Sequence, residues 1–412
     1  MATDIDTIAV ISIFFDVSLC CTSHPLKGCC QTYTSDFVKS VGLTPRDVDT
    51  QRCVCYMPVL PAYMLKEMHS SMQAAGAING VFLAASVLFR VHTSRLEARF
   101  GVRRVLLSTS LLFALANLLY LPAASTTSVM LIRFLSGIGF ALANTSIMAL
   151  GARQLPISRK GEGLACMTTM VLGGGAIGPY IGLSLAHSFG YRSVFIFATL
   201  VTLLGLLIVA AVPVEEGVTV RLRFTFNDLF EVKAIPISLI ALIIAAVYGG
   251  VLTFVAVFAT ELGLLFVAKS FFVVMASASV VSRLLTGWMY DRLGPGVAIG
   301  ASVVTLAAGL LLLGGMHTTV SMLISAALVG IGYGMAVPST QTLAIQLSPV
   351  YRSSAVTATF FTFLDGGVGL GAYLLGGGIQ AFGYSAVYLA LGVLNLGCLV
   401  PLYLLYGRGG EN

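Results

Sequence analysis

Apolar runs of about 20 residues, the length a helix needs to cross the hydrocarbon of a bilayer, alternate with short polar breaks through most of the chain. They fall at about 71–91, 103–123, 126–149, 162–187 and 192–213. After a polar stretch at 214–235 they resume at 236–260, 268–290, 296–316, 319–344, 353–380 and 384–406. This pattern predicts eleven regular membrane helices, preceded by a first one that is incomplete.

The incomplete one lies in the first 65 residues. The apolar run from Thr7 to Cys21 has 15 residues and contains Asp16. The segment from Cys53 to Leu65 supplies only 13, with Pro58-Val59-Leu60-Pro61 inside it and Arg46, Asp47, Asp49 and Arg52 ahead of it. Charges at the centre of a membrane helix cost about 2.5–3.5 kcal/mol each on insertion scales. The expectation is therefore a short or broken first helix, with residues 22–50 in a loop or irregular path. Residues 1–52 read as an atypical N-terminal segment. That segment and its border hold Cys20, Cys21, Cys29, Cys30, Cys53 and Cys55, with His24 near the first pair. A zinc or disulfide reading is conceivable there, but the spacing matches no metal knuckle, and no metal or cofactor is expected.

The chain repeats itself at an offset of 193 positions. Gly287-Trp288-Met289-Tyr290-Asp291-Arg292-Leu293-Gly294, with Arg283 before it, has an earlier copy in Ser94-Arg95-Leu96-Glu97-Ala98-Arg99-Phe100-Gly101, with Arg90 before it. At the same offset Gly137-Ile138-Gly139 falls on Gly330-Ile331-Gly332, Pro156 on Pro349, and Phe189-Gly190-Tyr191 on Phe382-Gly383-Tyr384. The sequence is a tandem duplication, six spans to each copy. The charged motif, flanked by glycines, reads as a very short turn between two membrane helices.

Composition fixes the class. Hydrophobic residues make up 57% of the chain and charged ones 10%, at a mean hydropathy of +0.95, which excludes an ordinary soluble domain. The net charge of +6 is no nucleic-acid signal, because Lys and Arg collect in loops on one side of the predicted spans. Arg90, Arg95, Arg99, Arg103, Arg104, Arg153, Arg159, Lys160, Arg292, Arg352 and Arg408 share that side. The positive-inside rule then places both termini and the central loop in the cytoplasm of a multi-pass protein of the cell membrane. No phosphate-binding loop points to ATP, and no nucleophile–base or metal constellation points to an enzyme.

Gly287, Asp291, Arg292 and Gly294, set after the second helix of a six-helix half, match a cytoplasmic-loop motif, and the chain resembles the major facilitator superfamily. The resemblance implies an all-α membrane fold of two six-helix bundles, at 53–213 and 236–412, joined by a cytoplasmic linker at 214–235. It implies a monomer that moves a small-molecule substrate by alternating access. The first, fourth, seventh and tenth helices would line its cavity. In the family the loop motif stabilises the outward-facing state through a charge contact across the halves. The first copy keeps Arg99 and Gly101 but has Ser94 and Ala98 where the second has Gly287 and Asp291, so the contact is expected to rest on Asp291. Gly174-x-x-x-Gly178-Pro179-x-x-Gly182 is similar to the fifth-helix motif of proton-coupled exporters. In physical terms, small residues four apart admit a close neighbour and the proline bends the helix.

Polar residues inside the spans carry the candidate chemistry. Asp365 lies about 12 residues into the eleventh span, roughly 18 Å along a helix, and is the candidate carrier of a proton, with an Asp held by helix–helix hydrogen bonds as the alternative. Arg133 resembles the superfamily arginine linked to proton coupling, and a structural ion pair is the alternative. Asn144, Gln341 and Tyr248 are candidates for the cavity wall or for interhelical hydrogen bonds. The expected function is export of a small organic compound against inward proton flow. A transport-inactive, sensor-like protein of the same fold is the alternative, suggested by the incomplete first helix and by Ala98.

Overall fold

The computed structural model describes residues 45–90, 92–123, 125–154, 178–211, 231–348 and 353–406. In them the chain is helical throughout. The first half contains α1 (Pro45–Lys66), α2 (Met72–Arg90), the short α3 (Thr93–Phe100), α4 (Val102–Leu119), α5 (Thr126–Gln154), the helical residues 178–189 as α6, and α7 (Tyr191–Ala211). A 3-10 turn, Val232–Ala234, leads into the second half: α8 (Ile235–Glu261), α9 (Leu265–Leu293), α10 (Pro295–Gly315), α11 (Thr319–Gln346), α12 (Ser353–Gly397) and α13 (Leu399–Tyr406). Helix α12 contains Gly383 at φ 78° and ψ 168°, so it is two arms, 353–382 and 384–397, joined at that residue, and α13 prolongs the second.

Eight of the described helices are long and apolar enough to cross a membrane. Leu131, Leu200, Leu207, Leu374, Val393 and Leu404 are all more than half exposed, while Asn79, Asn117, Arg133 and Asn395 are buried. Large apolar side chains outside and polar ones inside suit a solvent of lipid.

The duplication is visible in the backbone. The starts of α2 and α9, of α4 and α10, and of α5 and α11 all differ by 193 positions. The turns repeat as well: Gly101 and Gly294 have φ of 84° and 86°, and Gly190 and Gly383 have φ of 80° and 78°. Only glycine enters that region without strain. The same helix pair is tied by one buried amide in each copy, through Asn117 Nδ2 donating to Thr202 Oγ1 at 2.9 Å and Asn395 Nδ2 to the Val303 carbonyl at 2.8 Å.

Two expectations are corrected here. The first helix is not broken, because α1 runs without interruption from Pro45 to Lys66 and carries both Pro58 and Pro61. At 1.5 Å per residue its 22 residues span about 33 Å, so the polar first turns sit at the bundle end. Tyr56, Val59, Leu60 and Met64 supply the fully buried part. The continuous helix passes through residues 45–52, which the sequence pattern set apart. The second correction concerns Gly287–Leu293, which forms the last turns of α9 and not a loop. The turn is Gly294 alone, and Pro295 starts α10 at a position where its missing N–H costs nothing. The run from Thr7 to Cys21 and the cysteine pairs at 20–21 and 29–30 lie outside the described residues, as do the linker at 214–230 and Gly174.

The halves meet most closely where α2 lies along the first arm of α12. A Cβ at Gly76 would run into the Ala372 carbonyl, one at Gly80 would lie 3.1 Å from the Gly369 carbonyl, and one at Gly376 would lie 2.6 Å from the Met72 carbonyl. Small residues let these backbones touch where no hydrophobic force separates lipid from protein. Gly76→Val is expected to push the two helices apart and cost about 1–3 kcal/mol. Thermal unfolding in detergent measures it, and an unchanged midpoint would show the seam to be looser than described.

Candidate functional site

Three groups of polar side chains lie inside the bundle. The first joins the halves. Arg90, the last residue of α2, places Nη1 3.1 Å from Asp365 Oδ2 on α12. Its Nη2 donates to Ser86 Oγ at 3.3 Å, and its carbonyl accepts from Thr93 Oγ1 at 2.8 Å. The two charged side chains are 31% and 20% exposed, while Asp365 Oδ2 and Arg90 Nε are themselves buried. Asp365 is thus paired with Arg90, and the pairing is not with Arg133.

The second group is centred on Asn79, in the middle of α2. Pro61 has no N–H, so the Met57 carbonyl four residues earlier in α1 loses its helical partner. Asn79 Nδ2 donates to that carbonyl at 2.9 Å. The same amide donates to Thr253 Oγ1 of α8 at 3.1 Å, a second link between the halves, and the Thr253 hydroxyl donates to the Gly249 carbonyl at 2.7 Å. Asn79 Oδ1 accepts from Arg133 Nη2 at 3.3 Å. Arg133 on α5 is fully buried, with its guanidinium carbon 4.2 Å from the Phe82 ring centre and 5.7 Å from that of Tyr56. Among the described residues its Nε and Nη1 have no hydrogen-bond partner. Arg133 is held by an amide and two aromatic faces, and it forms no ion pair among the described residues.

The third group belongs to the second half. Tyr248 of α8 and Tyr333 of α11 stack with ring centres 3.6 Å apart and planes within 4°. The Arg283 guanidinium of α9 lies within electrostatic range of both, and Asp365 within range of Tyr333. Four helices therefore bring one polar side chain each to the same region.

The other expected residues are placed as follows. Asn144 and Gln341 are half-buried on α5 and α11, with no side-chain partner among the described residues. Gly178, Pro179 and Gly182 are buried on α6. Arg99 is exposed over the Phe100 ring at 5.2 Å. Asp291 and Arg292 are exposed and form no ion pair among the described residues, and a Cβ at Gly287 would meet nothing. In this state the charge contact across the halves is made by Arg90 and Asp365. Arg90 and Arg283 were visible in the sequence as repeat positions, but not as members of the site. Asn79 and Tyr333 were missed, although each is a polar group at the centre of an apolar span.

Two packed helical halves with charged and amide groups in the seam between them define a secondary transporter. The chain belongs to the Major Facilitator Superfamily, whose sequence profile matches residues 53–372 and again 273–411. It is 25% identical over 351 residues to the multidrug resistance protein MdtG of Klebsiella pneumoniae, covering 81% of this chain and 84% of that one. It is 21% identical over 327 residues to an uncharacterized MFS-type transporter of Methanocaldococcus jannaschii, covering 76% and 84%. Among solved structures, a mutant of the nucleoside transporter NupG superposes with a TM-score of 0.76 at 12% identity, over 89% of this chain and all of that one. A mutant of the peptide transporter POT gives 0.75 at 13% identity, over 88% and 93%. These structures share the fold.

The Asn79 knot generates a double-mutant test. Asn79→Ala strands the Met57 carbonyl and the Arg133 guanidinium, and is expected to cost at least about 2 kcal/mol. Pro61→Ala gives the Met57 carbonyl an N–H of its own, so the double mutant is expected to lose less than the sum of the singles. Strict additivity of the unfolding midpoints would show that the proline and the amide are independent.

Proposed function

We propose that this protein exports a small organic compound by alternating access, driven by protons moving inward. The carrying observation is the Arg90–Asp365 pair at 3.1 Å, because it combines a titratable group with a contact between the moving halves. While Asp365 is ionised, attraction to Arg90 holds α2 against α12. Protonation removes that attraction and leaves Arg90 free to extend toward the head groups. One proton thereby changes the relative stability of two arrangements of the halves, which is what coupling requires. The likeness to a protein called multidrug resistance protein supports the outward direction and the organic cargo.

The concentration of arginines at the Arg90 end supports an orientation with that end, both termini and the linker in the cytoplasm of the cell membrane. We take the domain limits from the repeat, with an N-terminal segment at 1–52, bundles at 53–213 and 236–412 and a linker at 214–235, and with α1 reaching back across the first limit to Pro45. The protein works as a monomer, since each chain contains both halves of the seam. A transport-inactive reading rests on Ala98, while the other feature that suggested it, a broken first helix, is absent from the continuous α1.

Asp365→Asn is expected to abolish transport driven by a pH gradient in proteoliposomes while substrate exchange without a gradient persists. Uphill transport at the normal rate by that mutant would end the assignment. Exchanging the pair, Arg90→Asp with Asp365→Arg, is expected to restore part of the stability lost in either single mutant, measured by thermal unfolding.

A further inference from the structure

Arg283 is the repeat counterpart of Arg90, but the counterpart of Asp365 is Leu172. The duplication thus gives the first arginine an acid and leaves the second without one. The structure agrees. Among the described residues Arg283 forms no ion pair, and its Nε is buried without a hydrogen-bond partner. Its polar neighbours are the stacked tyrosines Tyr248 and Tyr333, whose hydroxyls are engaged by no described side chain. An uncompensated cation inside a protein is unfavourable until an anion joins it.

The charge balance of the interior has the same sign. Toward the middle of the described spans lie Arg133 and Asp365, Arg283 closes the apolar stretch of α9 at Leu265–Arg283, and Arg90 already occupies Asp365. At the opposite end of the bundle a cleft of about 270 Å³ between the halves is lined by Lys66, His187 and Lys269 and by no carboxylate. A positive interior attracts anions and repels cations.

We propose that Arg283, together with the Tyr248 and Tyr333 hydroxyls, binds the oxyanion of the transported compound, which makes the cargo a small organic anion. A guanidinium offers two parallel N–H donors to a carboxylate, and two phenols can each add an O–H. The stacked rings provide an apolar wall for the remainder of the molecule. The role in transport rests on the exporter reading above, whereas the binding step does not.

The test uses the purified full-length chain in a neutral detergent, with thermal unfolding followed as ligand is added. The probes are benzoate, benzamide and benzyltrimethylammonium, which share a ring and differ in charge. Benzoate is expected to raise the midpoint saturably, and the amide and the cation are not. Arg283→Gln is expected to raise the half-saturating benzoate concentration about tenfold or more, and Arg283→Lys by less, since it keeps the charge and loses the fork. Tyr333→Phe keeps the ring stack, removes one hydroxyl and is expected to weaken binding severalfold, so the site is tested even where Arg283→Gln does not fold. Equal shifts from benzoate and benzamide, no shift from benzoate, or normal benzoate binding by Arg283→Gln or Tyr333→Phe would overturn the proposal. No gradient enters this assay, so its failure is distinct from a failure of proton-coupled export.

Discussion

Contact between α2 and the first arm of α12 is the constraint on which the two halves depend. Glycines at 76, 80, 369 and 376 bring the backbones together, and the Arg90–Asp365 pair closes one end of the seam. The two devices differ in what can undo them. Backbone packing is insensitive to pH and to voltage, so it holds the halves together throughout. An ion pair depends on both charges, so losing either one removes it without disturbing the packing. At the other end Gln73 Nε2 donates to the Tyr373 hydroxyl at 3.0 Å, and the Tyr384 hydroxyl lies 3.8 Å from Met72 Sδ and 3.2 Å from Glu261 Oε1. The ends of the seam are thus chemically unequal, and a direct ion pair between the halves is described at only one of them.

The repeat makes the candidate site residues recognisable as departures from symmetry. The scaffold positions are kept in both copies, as in the turn glycines at 101 and 294 and at 190 and 383. The chemical positions are not. Arg133 corresponds to Ala326, Asn79 to Phe272, Asp365 to Leu172 and Tyr248 to Cys55. A symmetric pair of halves would present the same site twice. Here the first half supplies a buried arginine knotted into α1 and α8, and the second supplies the acid and the tyrosine stack. The surfaces on the two sides of the seam are therefore unlike.

Much of this was legible in the sequence. Span positions, the two-fold repeat and the family followed from apolar run length and from coincidences at one spacing, because lipid constrains every residue on a helix exterior. Asp365 stood out because a lone carboxylate in a span has few structural uses. Its partner did not stand out. Arg90 is at a helix end, where an arginine usually faces head groups, and only the path of α12 brings the acid within reach. Gly287 to Leu293 looked like a turn because glycine and charge mark turns in water, whereas at a membrane boundary a helix can simply continue past the lipid.

The first helix shows why run length fails where it does. Counting apolar residues judged α1 too short, since the count assumes that a span faces hydrocarbon along its whole length. Tyr56, Val59, Leu60 and Met64 are fully buried in protein, so this helix is solvated by its neighbours as much as by lipid. Its prolines then become assets. Pro61 frees the Met57 carbonyl, Asn79 takes it up, and the same amide reaches Arg133 and Thr253. A local defect in one helix thereby positions a hydrogen-bond knot that joins α1, α2, α5 and α8. Pro61, inside the short apolar run, is thus part of what connects α1 to the rest of the seam.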